Sequence, residues 1–203
     1  HCRITATLAD ALPNFDWTMI IGMADDQPPD IADRVIVRQA LTYCEKPLVF
    51  CCKDTNSERD IYEMALLICG GKDNFEKAPT IVQYSEPISP LEYYDPAVDK
   101  MIFTVENGIP LINFPAPQAS GSAPATFAGT IVQGSAESLS GLVLAQTVRP
   151  GAPFIYGAFA TIMDMQTSIF SYGAPEMSLM VGAMAQMAQY YGLPFFGTAG
   201  ATD

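Results

Sequence analysis

The sequence predicts an α/β protein in which strands and helices alternate, as in a (β/α)8 barrel. Six short β-type runs recur along the 203 residues, with stretches of helical character between them. The runs start at positions 17, 47, 79, 109, 153 and 194. A strand, a crossover helix and two loops together fill about that spacing. The runs are continuously apolar, which is typical of parallel strands buried on both faces.

The strand candidates are bounded by proline, glycine and polar residues. In chain order they are Trp17–Met23, Pro47–Cys52, Pro79–Tyr84, Ile109–Phe114, Pro153–Gly157 and Pro194–Gly197. The chain contains neither a P-loop sequence nor a G-x-G-x-x-G turn after the first run, so a barrel is favoured over a doubly wound nucleotide-binding sheet. Six strands cannot close an eight-stranded barrel. We therefore expect residues 1–203 to form one domain, the central part of a barrel whose flanking elements are missing at both ends.

Helix signals occupy the intervals between the strand candidates. A helical segment, Ile4–Leu12, precedes the first strand. Asp30 and Ser57 are predicted to begin the helices after the first and second strands, and Gly70-Gly71 to end the second of these. The last helix is predicted from Pro175 to Gly192, because its apolar residues keep i, i+3, i+4, i+7 spacing. Its methionines are expected to fill the core rather than to bind a cofactor.

Composition excludes several classes of partner. The formal net charge is -12, from 22 acidic and 10 basic side chains. Binding to nucleic acid or to anionic lipid depends on Lys and Arg, so neither is expected. An acidic chain suits a cationic small molecule or a basic protein, although solubility alone would also account for it. No apolar run reaches membrane-spanning length.

The cysteine and histidine content limits the kinds of disulfide, catalytic and metal sites that the chain can form. The five cysteines are odd in number and none lies in a C-x-x-C pair, which favours a reduced, cytoplasmic location. The only histidine is His1. The chain therefore offers no internal histidine for a Ser-His-Asp triad or a histidine zinc site, and we expect no bound metal.

Functional residues of a barrel lie where strands end and the following loops begin. Glu86 follows the third strand and is a candidate general base or charge partner, with a solvated loop acid as the alternative. Asp25-Asp26 follow the first strand in the same way. Cys51-Cys52 end the second strand and are more typical of buried packing residues than of reactive thiols.

Two of the predicted loops are long. The fourth, Phe114–Ala125, is rich in proline and small residues, and is either a binding loop or a flexible connection. The fifth carries aromatic residues on both sides of two polar ones: Tyr156, Phe159, Phe170 and Tyr172 around Asp164 and Gln166. Aromatic faces beside a carboxylate suit a quaternary ammonium ligand, whereas simple packing of the barrel mouth is the alternative.

Four segments resemble the trimethylamine methyltransferase family. They are Tyr156–Met165 (YGAFATIMDM), Ser171–Leu179 (SYGAPEMSL), Met187–Gly197 (MAQYYGLPFFG) and Gly197–Asp203 (GTAGATD). The resemblance runs over essentially the whole chain. It implies a (β/α)8 barrel that moves a methyl group from a methylated amine to the cobalt of a corrinoid (cobalamin) carried by a separate partner protein.

The resemblance, taken together with the strand-end residues above, gives the expected roles. Archaeal trimethylamine enzymes of the family carry pyrrolysine, and none occurs in these 203 positions, which favours the branch resembling glycine betaine methyltransferase. Asp164 and Glu86 are the expected catalytic carboxylates, and Gly197, Thr198 and Gly200 the positions that face the corrinoid. The expected substrate-binding residues are Tyr156, Phe159, Gln166, Phe170 and Tyr172. No covalently bound cofactor is expected, and a homo-oligomer is left open.

Two other functions stay open at this point. One is a different barrel enzyme, such as an aldolase-like lyase in which Lys53 would form a Schiff base. The other is a non-catalytic homologue that binds a quaternary amine without turnover.

Overall fold

The computed structural model describes residues 1–19, 22 and 24–198. The helices are α1 (Cys2–Ala11), α2 (Ala32–Tyr43), α3 (Thr55–Cys69), α4 (Lys72–Lys77), α5 (Asp95–Glu106), α6 (Phe127–Val148) and α7 (Pro175–Tyr191). The strands are β1 (Thr18–Met19), β2 (Leu48–Phe50), β3 (Ile81–Ser85), β4 (Leu111–Asn113), β5 (Gln118–Ala119), β6 (Phe154–Ala158), β7 (Thr161–Ile162) and β8 (Phe195–Gly197). Two compact units result. The first comprises His1–Tyr84 and Asp99–Pro110, and the second comprises Ser85–Val98 and the described residues from Leu111 onward.

The first unit contains strands β1, β2 and β3, which pair in that order and in parallel. Thr18 is aligned with Leu48, and Leu48 with Ile81. Side chains of β2 and β3 pack with α2, α3 and α4 in a single hydrophobic core. Its fully buried members include Val37, Phe50, Ile61, Ala65, Phe75, Ile81 and Ile109. Continuous apolar runs form the strands because both faces of a parallel sheet are covered.

The second unit contains β4, β6 and β8, again paired in parallel in that order. Leu111 is aligned with Phe154, and Tyr156 with Phe195. Ser85, the last residue of β3, belongs to this unit and accepts a hydrogen bond of 2.8 Å from the N–H of Phe114. Met177, Met180 and Met184 of α7 are buried, as predicted for core methionines.

The predicted alternation of strands and helices is confirmed. Each of the six strand candidates contains a strand of the structure, although β1 is reduced to Thr18–Met19 and Ile20, Ile21 and Met23 lie outside the described residues. The chain is a mixed α/β protein with parallel strands joined by helices, which is the architecture of a partial (β/α)8 barrel. The short pair β5 and β7, and helix α4, were not predicted.

Two predicted helix starts are wrong. Helix α3 begins with Asp54 as its N-cap, whose carboxylate accepts a 2.8 Å hydrogen bond from the N–H of Ser57, so Ser57 lies inside the helix. Helix α2 begins after Ile31 with no side-chain cap, and the carboxylate of Asp30 binds Lys53 instead. The predicted stops are confirmed, since Gly70 and Gly192 both take the left-handed conformation that ends α3 and α7.

Helix α6 approaches β4 closely. A Cβ atom added to Gly141 would lie 2.5 Å from Nδ2 of Asn113, so glycine is required there. The amide of Asn113 occupies this space and donates to the carbonyl oxygen of Glu137 at 2.8 Å. At 22 residues α6 is the longest described helix. Neither it nor any other helix among the described residues combines the length and hydropathy that crossing a membrane requires.

Candidate active site

The two long loops predicted to be functional are paired with each other in the second unit. The N–H groups of Phe159, Thr161 and Met163 donate to the carbonyl oxygens of Pro115, Pro117 and Ala119 at 3.0, 3.2 and 3.2 Å. Within this stretch β5 and β7 form a parallel two-stranded sheet. The loops therefore continue the strand pairing beyond β4 and β6. The two loops are therefore joined to each other by regular main-chain hydrogen bonds.

A cavity of about 520 Å³ opens beside these loops, at the carboxyl ends of the strands. It is lined by Glu86, Pro87, Ile88, Ser89 and Tyr94 from the connection between β3 and α5, and by Ala116, Gln118 and Ser122 from the connection between β4 and α6. The side chain of Glu86 is exposed, and Tyr94 is 46% exposed. A carboxylate and an accessible aromatic ring are the two groups that attract a cation lacking hydrogen-bond donors.

The two predicted catalytic carboxylates lie in different surroundings. Glu86 lines the cavity, whereas Asp164 is not among its lining residues. The carboxylate of Asp164 accepts hydrogen bonds from the hydroxyl of Thr167 at 2.5 Å and from the N–H of Gln166 at 3.0 Å. The Thr167 hydrogen bond lowers the pKa of Asp164. These contacts are those of an Asp that shapes its own turn, and the side chain of Gln166 is exposed beside it.

Three of the predicted substrate-binding aromatics form one cluster. The ring centroids of Phe159, Phe170 and Tyr172 are 4.7 to 5.2 Å apart. This is the distance of rings in direct contact, so no room remains between them for a trimethylammonium group. Phe159 also stacks on Phe114 at 5.7 Å. Because Tyr172 is 43% exposed, a ligand can reach only the outer surface of the cluster.

Tyr156 does not join the cavity or the aromatic cluster. Its side chain is fully buried, its hydroxyl donates to Oγ of Ser135 on α6 at 2.7 Å, and its ring packs near Tyr191 and Phe195. Burial raises the pKa of Tyr156. These contacts pack Tyr156 between β6 and the helices.

The positions predicted to face the corrinoid follow β8. Gly197 is the last residue of that strand and Thr198 the first after it, and both are partly buried. The Oγ1 atom of Thr198 is buried and has no hydrogen-bond partner among the described residues. Gly200 lies outside the part of the chain that the structure describes.

Comparison with known proteins identifies the family of this chain. The family model described as trimethylamine methyltransferase (MTTB) matches residues 1–203. The chain belongs to this family. The resemblance predicted from the sequence motifs is thereby confirmed.

Three relatives illustrate the range of the trimethylamine methyltransferase family. Glycine betaine methyltransferase of Desulfitobacterium hafniense (strain Y51) is 31% identical over 202 residues, which are 98% of this chain and 42% of that protein. Trimethylamine methyltransferase MttB of Methanosarcina thermophila is 37% identical over 134 residues, 66% of this chain and 28% of that protein. Proline betaine:corrinoid methyltransferase of Eubacterium limosum is 34% identical over 125 residues, 62% of this chain and 26% of that protein. The chain thus spans less than half the length of each.

Two other groups considered for reactivity, Lys53 and Cys52, are respectively ion-paired and buried. Lys53 forms an ion pair of 2.8 Å with Asp30, and this partner raises the pKa of Lys53. A Schiff-base lysine needs the opposite shift, because only the neutral amine is nucleophilic. Burial raises the pKa of the Cys52 thiol, which disfavours the thiolate. Among the described residues, no group of three or more His, Cys, Asp or Glu side chains is arranged to hold a metal ion.

Of the residues that line the cavity, Tyr94 was not predicted, whereas Gln118 and Ser122 lie within the fourth loop, which was predicted as a candidate binding loop. From the sequence, only Glu86 was considered as a functional residue after the third strand. In the structure the connection between β3 and α5 continues to Tyr94, because α5 begins at Asp95. A signal for this start was present. Pro96 occupies the second position of α5, and proline is common in the first turn of a helix.

Proposed function

We propose that the complete protein transfers a methyl group from a methylated amine, such as the quaternary amine glycine betaine, to the Co(I) of a corrinoid carried by a partner protein. Membership of the trimethylamine methyltransferase family supports the reaction class. The observation that carries the proposal is the cavity in which Glu86 and Tyr94 lie together, beside the paired loops at the carboxyl ends of the strands.

Demethylation of a quaternary ammonium group requires no general acid from the enzyme. Its carbon–nitrogen bond breaks with the electron pair staying on nitrogen, so glycine betaine leaves as the neutral amine dimethylglycine and no proton is required. The corrinoid of the partner supplies the nucleophile. The work of this chain is to bind the cation and to hold one methyl group in line for transfer. A site without an internal histidine meets that requirement.

The proposed binding roles follow from charge and shape. The carboxylate of Glu86 balances the positive charge, and the face of Tyr94 attracts the ammonium methyl groups. Phe159, Phe170 and Tyr172, which do not line the cavity, would offer the outer surface of their cluster to the amine, with Asp164 and Gln166 holding the turn beside that cluster. Gly197 and Thr198, with Gly200 beyond the described residues, are proposed to face the corrinoid.

Methyl transfer to free cob(I)alamin tests this function. The full-length protein is incubated with glycine betaine, proline betaine, carnitine or trimethylamine, and the change in visible absorption of the corrinoid is followed. We expect turnover with at least one quaternary amine, and a loss of about tenfold or more in kcat/KM in Glu86→Gln, because an unbalanced cation binds poorly. Absence of turnover with all four amines, with the cognate corrinoid protein also supplied, would refute it.

The alternative functions are less well supported. An aldolase-like lyase would depend on Lys53, whose ammonium group is held by Asp30. Borohydride trapping with a carbonyl substrate tests for a lyase, and a covalent adduct on Lys53 would support that function. A non-catalytic binding protein would bind glycine betaine in calorimetry but give no methyl transfer.

A further inference from the structure

A buried carboxylate on α6 contacts the connection that carries Glu86 and Tyr94. Glu137 is 1% exposed. Its Oε2 atom accepts a hydrogen bond from the hydroxyl of Ser89 at 2.7 Å, and its Oε1 atom accepts one from the N–H of Leu91 at 2.9 Å. Both donors lie in the connection between β3 and α5, and Ser89 itself lines the cavity.

The same carboxylate is linked to the other wall of the cavity. The side-chain amide of Gln133, one helical turn before Glu137, donates to Oε1 of Glu137 and to the carbonyl oxygen of Ser122, both at 2.9 Å. Ser122 lines the cavity from the connection between β4 and α6. Glu137 and Gln133 therefore join both cavity-lining connections to one rigid helix.

Helix α6 also contacts Tyr93, the residue before Tyr94, through the main chain of Glu137 and the side chain of Ser140. The hydroxyl of Tyr93 donates to the carbonyl oxygen of Glu137 at 3.4 Å and lies 3.1 Å from Oγ of Ser140. The amide of Asn113, in β4, donates to the Tyr93 hydroxyl at 2.7 Å. Contacts from α6 thus hold the connection at residues 89, 91 and 93, between Glu86 and Tyr94.

The conformation of this connection is not held by core packing at its turn. Leu91 has φ +58°, a left-handed conformation that costs a non-glycine residue about 1 to 2 kcal/mol. Its side chain is 67% exposed, so burial does not offset that cost. Two backbone hydrogen bonds between Ile88 and Glu92, at 2.8 and 2.9 Å, close this turn, and the N–H of Leu91 within it donates to Glu137.

We propose that Glu137 is a positioning residue, which fixes Glu86 and Tyr94 in the cavity by binding Ser89 and Leu91 and, through Gln133, the opposite wall. The link to substrate binding rests on the proposed function. The effect on the loop does not, because it concerns only the contacts of α6 with residues 86–94.

Glu137→Ala tests the proposal, with Glu137→Gln as the conservative variant and Ser138→Ala as a matched control. Ser138 is a buried neighbour on α6 whose hydroxyl donates to the carbonyl oxygen of Asn113 at 3.3 Å. In the full-length protein, we expect Glu137→Ala to raise KM for glycine betaine about tenfold while KM for cob(I)alamin is unchanged. Glu137→Gln keeps the acceptor and should return KM to within about threefold of the wild-type value. Ser138→Ala should leave both constants unchanged.

Hydrogen exchange measures the loop without relying on activity. Backbone amides of residues 86–94 should exchange about tenfold faster in Glu137→Ala than in the wild-type protein or Ser138→Ala. If Glu137→Ala does not fold, Ser89→Ala removes one of the same hydrogen bonds from the loop side and should accelerate exchange in the same segment.

The outcomes separate the two proposals. Unchanged exchange at residues 86–94 in the folded variants would overturn the positioning role, as would a rise in both KM values in proportion to lost thermal stability. Faster exchange in a protein that transfers no methyl group would uphold the positioning of the loop and refute the proposed function instead.

Discussion

The hydroxyl of Thr104 on α5 donates a hydrogen bond to the carboxyl group of Glu58 on α3, and neither side chain is exposed to solvent. The second carboxyl oxygen of Glu58 is buried without a hydrogen-bond partner among the described residues. Burial raises the pKa of Glu58 to about 7, and the Thr104 hydrogen bond and the charge of Lys100 only partly oppose this. Desolvation dominates because it penalises only the charged form.

This pKa makes the stability of the folded protein depend on pH. The carboxyl group releases its proton near pH 4.5 when unfolded and near pH 7 when folded. Between these values the folded state binds more protons, so the stabilising contribution is fully present below pH 4.5 and is lost as pH rises through 7. In the wild-type protein, the free energy of unfolding should therefore fall by on the order of 3 kcal/mol as the pH rises from 4.5 to 8, and in Glu58→Gln this fall should be absent. Denaturant titrations at pH 4.5 and 8 measure it.

Glu63→Gln is the matched control for that measurement, since Glu63 is exposed on the same helix. It should leave the pH dependence of the wild-type protein in place. Identical pH dependence in all three proteins would contradict the assignment to Glu58.

Tyr94 should contribute to binding of the quaternary amine. Replacing it with Ala removes an aromatic face worth about 0.5 to 2 kcal/mol to a cation, so glycine betaine should bind about three- to thirtyfold more weakly in calorimetry. Tyr94→Phe keeps the face and should bind normally. Tyr190→Ala removes a tyrosine that is 81% exposed on α7 and provides the control. Equal losses in Tyr94→Ala and Tyr190→Ala would exclude a specific role for Tyr94.

Two helical glycines should respond in opposite directions to alanine. In Gly141→Ala the new methyl group would displace the Asn113 amide, which donates to Tyr93 and Glu137, and the free energy of unfolding should fall by about 1 to 3 kcal/mol. Gly182 on α7 has nothing within 4 Å of the added Cβ, so Gly182→Ala should raise it by up to about 1 kcal/mol. Chemical denaturation measures both, and a stabilising Gly141→Ala would contradict the close approach of α6 and β4.

The N-cap of α3 provides a fourth test. Asp54→Ala should cost about 1 kcal/mol of stability, whereas Asp54→Asn keeps an acceptor for the N–H of Ser57 and should cost little. The hydrogen bond from Ser57 lowers the pKa of Asp54. The additional stability that the charged Asp54 cap gives is therefore fully present above the pKa that Asp54 has in the unfolded chain. It is lost as the pH falls through the lower pKa that Asp54 has in the folded protein. Equal stability of the Ala and Asn variants, measured by thermal unfolding, would rule out capping by Asp54.

The strands could be predicted from sequence because burial on both faces leaves a direct signature. Leu48–Phe50 and Phe154–Ala158 are continuous apolar runs that follow proline. The start of α3 could not be resolved in the same way, since Asp54, Thr55, Asn56 and Ser57 are all good capping residues. For Asp30 the deciding contact is an ion pair with Lys53, 23 residues later, which no local pattern reveals.

The candidate site was predicted only in part. Glu86 was found because it directly follows a strand, and the contact among Phe159, Phe170 and Tyr172 agrees with their grouping in one loop. The sequence could not show that Tyr156 lies apart from this cluster. The face of β6 on which a residue lies is set by the register of β6 against β4 and β8, which no local pattern reveals. Glu137 lies mid-helix, 51 residues after Glu86, and nothing in its neighbourhood marks it as a partner of that loop.

The pairing of residues 115–119 with 159–163 bears on how these two loops can be exchanged between members of the family. A loop transplanted alone from a relative would keep these main-chain hydrogen bonds only if its length and backbone conformation match those of the loop it replaces. Productive grafts should therefore exchange both segments together, with their hydrogen-bonding register kept. For the same reason, natural divergence at this rim should proceed by side-chain replacement rather than by insertion or deletion in one segment alone.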